Sequence, residues 1–184
     1  MFVDETLIDR SSLLQGDIIA DIQLLGALNY NEIQYLMPTM EGAESRGWTS
    51  LAKREIGSAM VVSHSCEIAQ ENNVKFTSII LAPLRDASKA TNPEKLQELI
   101  DSNFIGELDK QASYLKYFYV PENEKMDAKG AAVADFSKLF SVRKNSYDYV
   151  LGRKVLQMQD AAREQMALKL GLYFYRSAAE TAAA

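Results

Sequence analysis

Apolar residues in this chain gather into short runs separated by polar turns, and helical spacing is confined to two stretches. The run Ile18-Ile19-Ala20-Asp21-Ile22-Gln23-Leu24-Leu25 opens on β-branched residues and predicts a first strand. It is launched from Gln15-Gly16-Asp17, a turn by composition, and Gly26 marks a break or bulge near its end. Residues 58–62 and 77–84 are two further apolar runs and natural strand partners. Residues 114–120 predict an aromatic strand closed by Pro121, and residues 132–136 and 139–142 predict two more strands or strand fragments. Between them residues 122–130 read as a turn.

The helical stretches are equally local. Asn92 caps, Pro93 suits a first turn, Glu94 meets the positive helix end, and Leu96, Leu99 and Ile100 repeat at i, i+3, i+4. A second helix is expected over about residues 160–176, with the Ala-rich residues 178–184 fraying. Residues 1–15 predict a short helix or a packed arm, and residues 37–57, interrupted by Pro38, Gly42, Gly47 and Gly57, predict a long irregular connection. The sum is an α+β protein: a small curled, barrel-like antiparallel sheet over about 16–145, one inserted helix and a C-terminal helix, all in one domain spanning 1–184. Regular βαβ alternation, the mark of a doubly wound parallel sheet, is absent from the pattern.

Composition narrows the function classes. Hydrophobic residues make up 47% and charged residues 24%, ordinary globular values that exclude a disordered chain. One cysteine excludes an internal disulfide framework and points to a reducing compartment. No basic-then-apolar leader opens the chain and no apolar run reaches the ~20 residues of a membrane span, so a cytoplasmic protein is expected. The net charge of −5 is uneven: residues 1–135 carry 12 Lys/Arg against 21 Asp/Glu, and residues 136–184 carry 8 against 4. An acidic chain is a poor non-specific nucleic-acid binder, though the basic last quarter leaves room for a local site.

Candidate chemistry concentrates at one strand end, Ser63-His64-Ser65-Cys66-Glu67, which holds the single histidine and the single cysteine. In a continued strand His64 and Cys66 share a face, but one His and one Cys fall short of a zinc ligand set, so no metal is expected. Cys66 as nucleophile needs a base in reach, and His64, two strand residues away, lies roughly 6–7 Å off. No phosphate-binding or dinucleotide-binding glycine motif is present, and no cofactor is expected. Ser65, Cys66 and Glu67 are therefore binding candidates. Trp48 joins them as a core cap or ligand platform, and Asp135 as a strand-end polar residue.

The order Gly16-Asp17-Ile18-Ile19, then Ala59-Met60-Val61-Val62-Ser63, then Ile79-Ile80-Leu81-Ala82-Pro83-Leu84 resembles the PemK/MazF-like family over about residues 16–85. The resemblance implies an SH3-like barrel, best known in endoribonuclease toxins of bacterial toxin–antitoxin systems. Residues 61–67 also resemble the corresponding segment of uncharacterised bacterial and phage proteins. In the toxins an Arg-Pro precedes the second strand and a Thr follows the Pro of the third. Here Ser58-Ala59 stands at the first place with Arg54 upstream, and Leu84 and Arg85 follow Pro83. The implied catalytic candidates are Arg54 or Arg85 stabilising phosphate charge, Ser63 supplying a hydroxyl and His64 acting as acid or base.

The leading expectation is a binding or regulatory module of a bacterial or phage conflict system, taking a protein partner at residues 63–67 with the 42–57 loop. The alternative is a PemK/MazF-like endoribonuclease with RNA as ligand. The third is a structural component of a larger assembly, for which a homo-oligomer is expected.

Overall fold

The computed structural model describes residues 1–27, 52–68, 78–87, 92–104, 114–126, 130–143 and 146–182. Chain contacts divide it into one compact unit of Met1–Ile22 with Gly57–Ala184, and a second of Gln23–Ile56. The strands among the described residues are β1 (Ile18–Ala27), β2 (Ala52–Val61), β3 (Ser78–Asp86), β4 (Tyr117–Val120), β5 (Ala132–Asp135), β6 (Phe140–Arg143) and β7 (Lys154–Leu156). Among the described residues four α-helices accompany them: α1 (Ser65–Ile68), α2 (Pro93–Asp101), α3 (Tyr147–Leu151) and α4 (Asp160–Ala182).

The strands run in the order β4-β5-β3-β2-β1-β7, with β6 also paired to β3, and every ladder whose register is defined is antiparallel. The protein is thus α+β with an antiparallel sheet, as the runs of short strands predicted. Strand β3 is its axis: Ile79 opposes Val142 of β6, Met60 of β2 opposes Ala82, and Leu84 opposes Ala134 of β5. A 3-10 turn, Phe136–Lys138, separates β5 from β6 and lets one stretch of chain pair with β3 twice.

Register sorts the β3-β5-β4 corner into two faces. Leu84, Ala134 and Phe118 lie on one, and Arg85, Val133 and Tyr119 on the other. The first face meets α4 through Ala162, Met166, Leu170 and Tyr173 in the main core, with Met60, Phe118 and Phe136 fully or nearly fully buried there. The second meets α2, whose Leu96 and Leu99 pack on Val133, Tyr117 and Tyr119. Asn92 caps α2 as its sequence predicts, its side chain accepting from the Glu94 N–H at 2.9 Å with Pro93 in the first turn.

Several local expectations are corrected. Residues 52–57 belong to β2 rather than to an irregular connection, because backbone pairing extends past the apolar run into Lys53-Arg54-Glu55, which carries no alternation. The strand ending at Val61 does not continue through Cys66: Ser65–Ile68 is a helical turn, closed by the Ile68 N–H donating to the His64 carbonyl (3.3 Å). Helix α4 runs on to Ala182 instead of fraying after residue 176, since alanine has the highest intrinsic helix propensity. Helix α3 and strand β7 were not marked by periodicity at all, being too short to show one.

The turn at residues 15–17 is observed where it was expected. Gly16 sits at φ +88°, and a Cβ there would come within 3.0 Å of the Met158 sulfur. Its N–H donates to the Val61 carbonyl (2.8 Å), and the Val61 N–H returns a bond to the Asp17 carbonyl (2.9 Å). Asp17 and Lys154 of β7 then form a fully buried ion pair, Oδ2 to Nζ 2.7 Å, both side chains 0% exposed.

The ammonium's other protons go to the Ser12 carbonyl (3.1 Å) and Gln157 Oε1 (3.1 Å), while Asp17 Oδ2 also accepts from the Leu14 N–H (2.7 Å). Residues 1–14 are thereby an arm laid along β7 and the chain after it, with the Val3 N–H on the Gln157 carbonyl and the Gln159 N–H on the Met1 carbonyl.

Removing one partner of such a pair strands a buried charge. Asp17→Ala is expected to cost about 3–5 kcal/mol in urea unfolding, and Asp17→Leu with Lys154→Met to recover most of it. A loss under about 1 kcal/mol in the single variant would contradict the pair's place in the fold.

Candidate functional site

The strand end singled out by sequence is a set of backbone clamps. The Val62 and Ser63 N–H groups both donate to the Ile80 carbonyl (2.9 and 3.3 Å), and Ser63 Oγ accepts from the Ile80 N–H at 2.8 Å. Ser63 is 4% exposed, so its hydroxyl is engaged in continuing the β2–β3 ladder by side chain where the backbone turns away. Ser65 Oγ accepts from the Gln15 N–H (3.0 Å), and Gln15 Nε2 donates to the Val62 carbonyl (2.8 Å). Gln15, itself buried, ties the 15–17 turn to both sides of the strand end. His64 stands exposed on this clamped base.

Asp17 lies in the same turn. Burial pushes its carboxyl up to about 6 from 3.8, against the opposing pull of Lys154 and the Leu14 N–H. The folded protein therefore holds this proton more tightly than the unfolded chain. That contribution favours the fold fully below pH 3.8 and is lost as pH rises through about 6. Asp9 works in the opposite sense: the Ser11 and Ser12 hydroxyls and the Ser11 N–H hold it down to about 2. Its contribution is present above pH 3.8 and is lost as pH falls through about 2.

A second polar group occupies the far end of β3. Arg85 Nε lies 3.4 Å from Asp135 Oδ2, the Arg side chain 54% exposed and the Asp 3%. Asp135 Oδ1 accepts from the Ser137 N–H (3.0 Å) and hydroxyl (2.5 Å), capping the 3-10 turn. The carboxylate is thus fixed, and it aims an exposed guanidinium. Asp135, a binding candidate by sequence, caps the turn at the strand end and orients Arg85, an orientation that the sequence did not reveal.

Ser63 and Arg85 are not brought together. Ser63 sits against Ile80, and the five residues from Ile80 to Arg85 span roughly 16 Å along the strand. Trp48 lies outside the described residues, as do the side chains of Arg54, Cys66 and Glu67; Arg54 falls in β2, and Cys66 and Glu67 in α1.

Two buried groups went unnoticed in the sequence. One is the Asp17–Lys154 pair; the other is Lys169 of α4, 0% exposed, whose Nζ donates to Ser102 Oγ (2.7 Å) and approaches Asn103 Oδ1 (3.5 Å). A signal existed for the second. Lys169 shares the apolar stripe of Ala162, Met166 and Tyr173, where a surface lysine does not belong.

Comparison of the chain with protein-family models, with curated proteins and with solved structures returned no match.

The structural reading of Ser63 is directly testable. Ser63→Ala leaves the Ile80 N–H without its acceptor and is expected to cost about 1–3 kcal/mol by chemical denaturation. An unchanged midpoint would show that the hydroxyl is dispensable to the fold and is kept for another task.

Proposed function

We propose that the protein is a binding or regulatory module of a bacterial or phage conflict system, on an SH3-like scaffold, that takes a protein partner at the strand end around His64. The observation that carries this reading is the clamped geometry beneath that residue. Gln15, Ser63 and Ser65 are engaged in fixing the backbone, so the exposed His64 is presented from a preformed base, which lowers the ordering cost of association. The scaffold and the conflict-system setting rest on the PemK/MazF-like resemblance. In support of it, the three stretches that carry the resemblance open β1, end β2 and form β3, which are neighbours in the sheet.

One observation favours the endoribonuclease as a second reading. Arg85 is exposed and oriented by a buried carboxylate, a suitable arrangement for an anionic phosphate. Against it stands the separation of Arg85 from Ser63 along β3.

Incubation of the purified protein with unstructured RNA at low salt, reading retention and cleavage together, separates the two. The binding reading expects intact RNA, together with a discrete host protein retained by the wild type and lost from a stably folded His64→Ala variant. Equal retention by His64→Ala would remove the site assignment. RNA cleavage abolished by Arg85→Ala or Arg54→Ala would replace the module with the ribonuclease.

A further inference from the structure

Helix α4 and helix α2 cover opposite faces of the β4-β5 corner, and Lys169 of α4 reaches the residues just past α2 around its rim. Strand β4 ends the strand order, so among the described residues its outer N–H and C=O groups have no neighbouring strand. Asn103, just past α2, takes that place: its Nδ2 donates to the Tyr119 carbonyl (2.8 Å) and its Oδ1 accepts from the Tyr119 N–H (2.9 Å). Ser102 beside it donates its hydroxyl to the Leu99 carbonyl (2.7 Å), at the C-terminal end of α2. Lys169 reaches these two residues from α4 and closes a clasp of α4, Ser102-Asn103 and the β4 rim.

The clasp is held by a buried lysine without a counterion among the described residues. Its acceptors are a neutral hydroxyl and a neutral amide, and the Phe118 ring centroid lies 6.0 Å from Nζ. Among the described residues no charged group on the packed elements pairs with it. On α2, exposed Glu98 accepts from the Tyr114 hydroxyl and exposed Asp101 from Gln97. Lys116, before β4, lies over the Tyr117 ring, and Asp135 of β5 pairs with Arg85. A charged ammonium in this setting gains little from its neighbours and loses its hydration.

We propose that the α4–Asn103–β4 clasp is a proton-linked latch: Lys169 is neutral when the clasp is closed and takes up a proton when α4 leaves. Burial lowers the Lys169 ammonium from 10.5 to about 7. The closed form is thus favoured fully above pH 10.5, and that advantage is lost as pH falls through about 7. Each pH unit within the window changes the opening constant by about tenfold, because one proton is exchanged. Asp17 titrates below this window. Opening uncovers Phe118 and withdraws Lys169 from Ser102 and Asn103, the residue that covers the Tyr119 N–H and C=O, so the latch bears on the hold over a sheet edge.

Hydrogen exchange on the full chain between pH 6 and 9.5, corrected for intrinsic exchange rates, tests this. Protection in α4, residues 99–103 and β4 is expected to fall about tenfold per unit of acidification. It should level off below about pH 7, and Lys169→Met should abolish the slope. A slope shared equally by every strand would mean global unfolding and overturn the latch, as would the same slope in Lys169→Met. If that variant does not fold, the Lys169 side-chain carbon resonance in the wild type decides: a midpoint well below 10.5 supports the latch, and one near 10.5 refutes it.

Discussion

The buried pair between Asp17 and Lys154 sets the conditions under which the rest of the main unit is assembled. Taking two charges out of water costs several kcal/mol per ion, and mutual attraction offsets this only with good geometry and full hydrogen bonding. Lys154 meets the requirement: its three protons go to Asp17, the Ser12 carbonyl and Gln157. Each of those acceptors belongs to a different local element, the turn before β1, the N-terminal arm and the chain after β7. The charge cannot be satisfied until all three are in place, so the pair couples segments that are more than a hundred residues apart in sequence. The Gly16 turn follows from the same demand. It brings the Asp17 carboxylate inward while its own N–H bonds Val61, which fixes β1 against β2 at the base of the candidate site.

From that base the two candidate surfaces are separated by β3. One end carries the clamped strand terminus with His64, the other the Arg85–Asp135 pair, and the strand holds them apart. Each is stabilised by a buried polar residue that presents an exposed one: Gln15 and Ser63 beneath His64, Asp135 beside Arg85. Placing an exposed side chain on an internally satisfied scaffold suits recognition, where preorganisation raises affinity. A shared reaction centre between the two ends would need both groups at one substrate atom, which the length of β3 does not allow in this conformation.

Much of the sheet was legible because its strands are apolar runs bounded by Gly, Pro and Asn. The α2 start was legible because Asn92, Pro93 and Glu94 each act locally. Residues 52–57, α3 and β7 were not, since their structure is set by partners distant in sequence. The strand end at residues 63–67 was located correctly and misread in conformation. A polar Ser-His-Ser run carries no period, and the choice of a helical turn after Val61 is made by Gln15, about fifty residues upstream. Ser63 looked like a hydroxyl available for chemistry. Only the position of the Ile80 N–H shows that it is spent on the ladder.

Lys154 and Lys169 are both fully buried, and the difference between them is instructive. Lys154 faces a carboxylate and fills every donor, so its burial holds the arm, turn and β7 together as one arrangement. Lys169 faces a hydroxyl and an amide, so its closed position is compatible with the neutral form and strained by the charged one. An apolar residue would fill that place on the α4 stripe without an ionic cost, since Met166 and Tyr173 on either side already do so. Retaining an amine there exchanges static stability for a dependence on proton activity. That exchange falls at a corner where two helices close over the rim of the sheet.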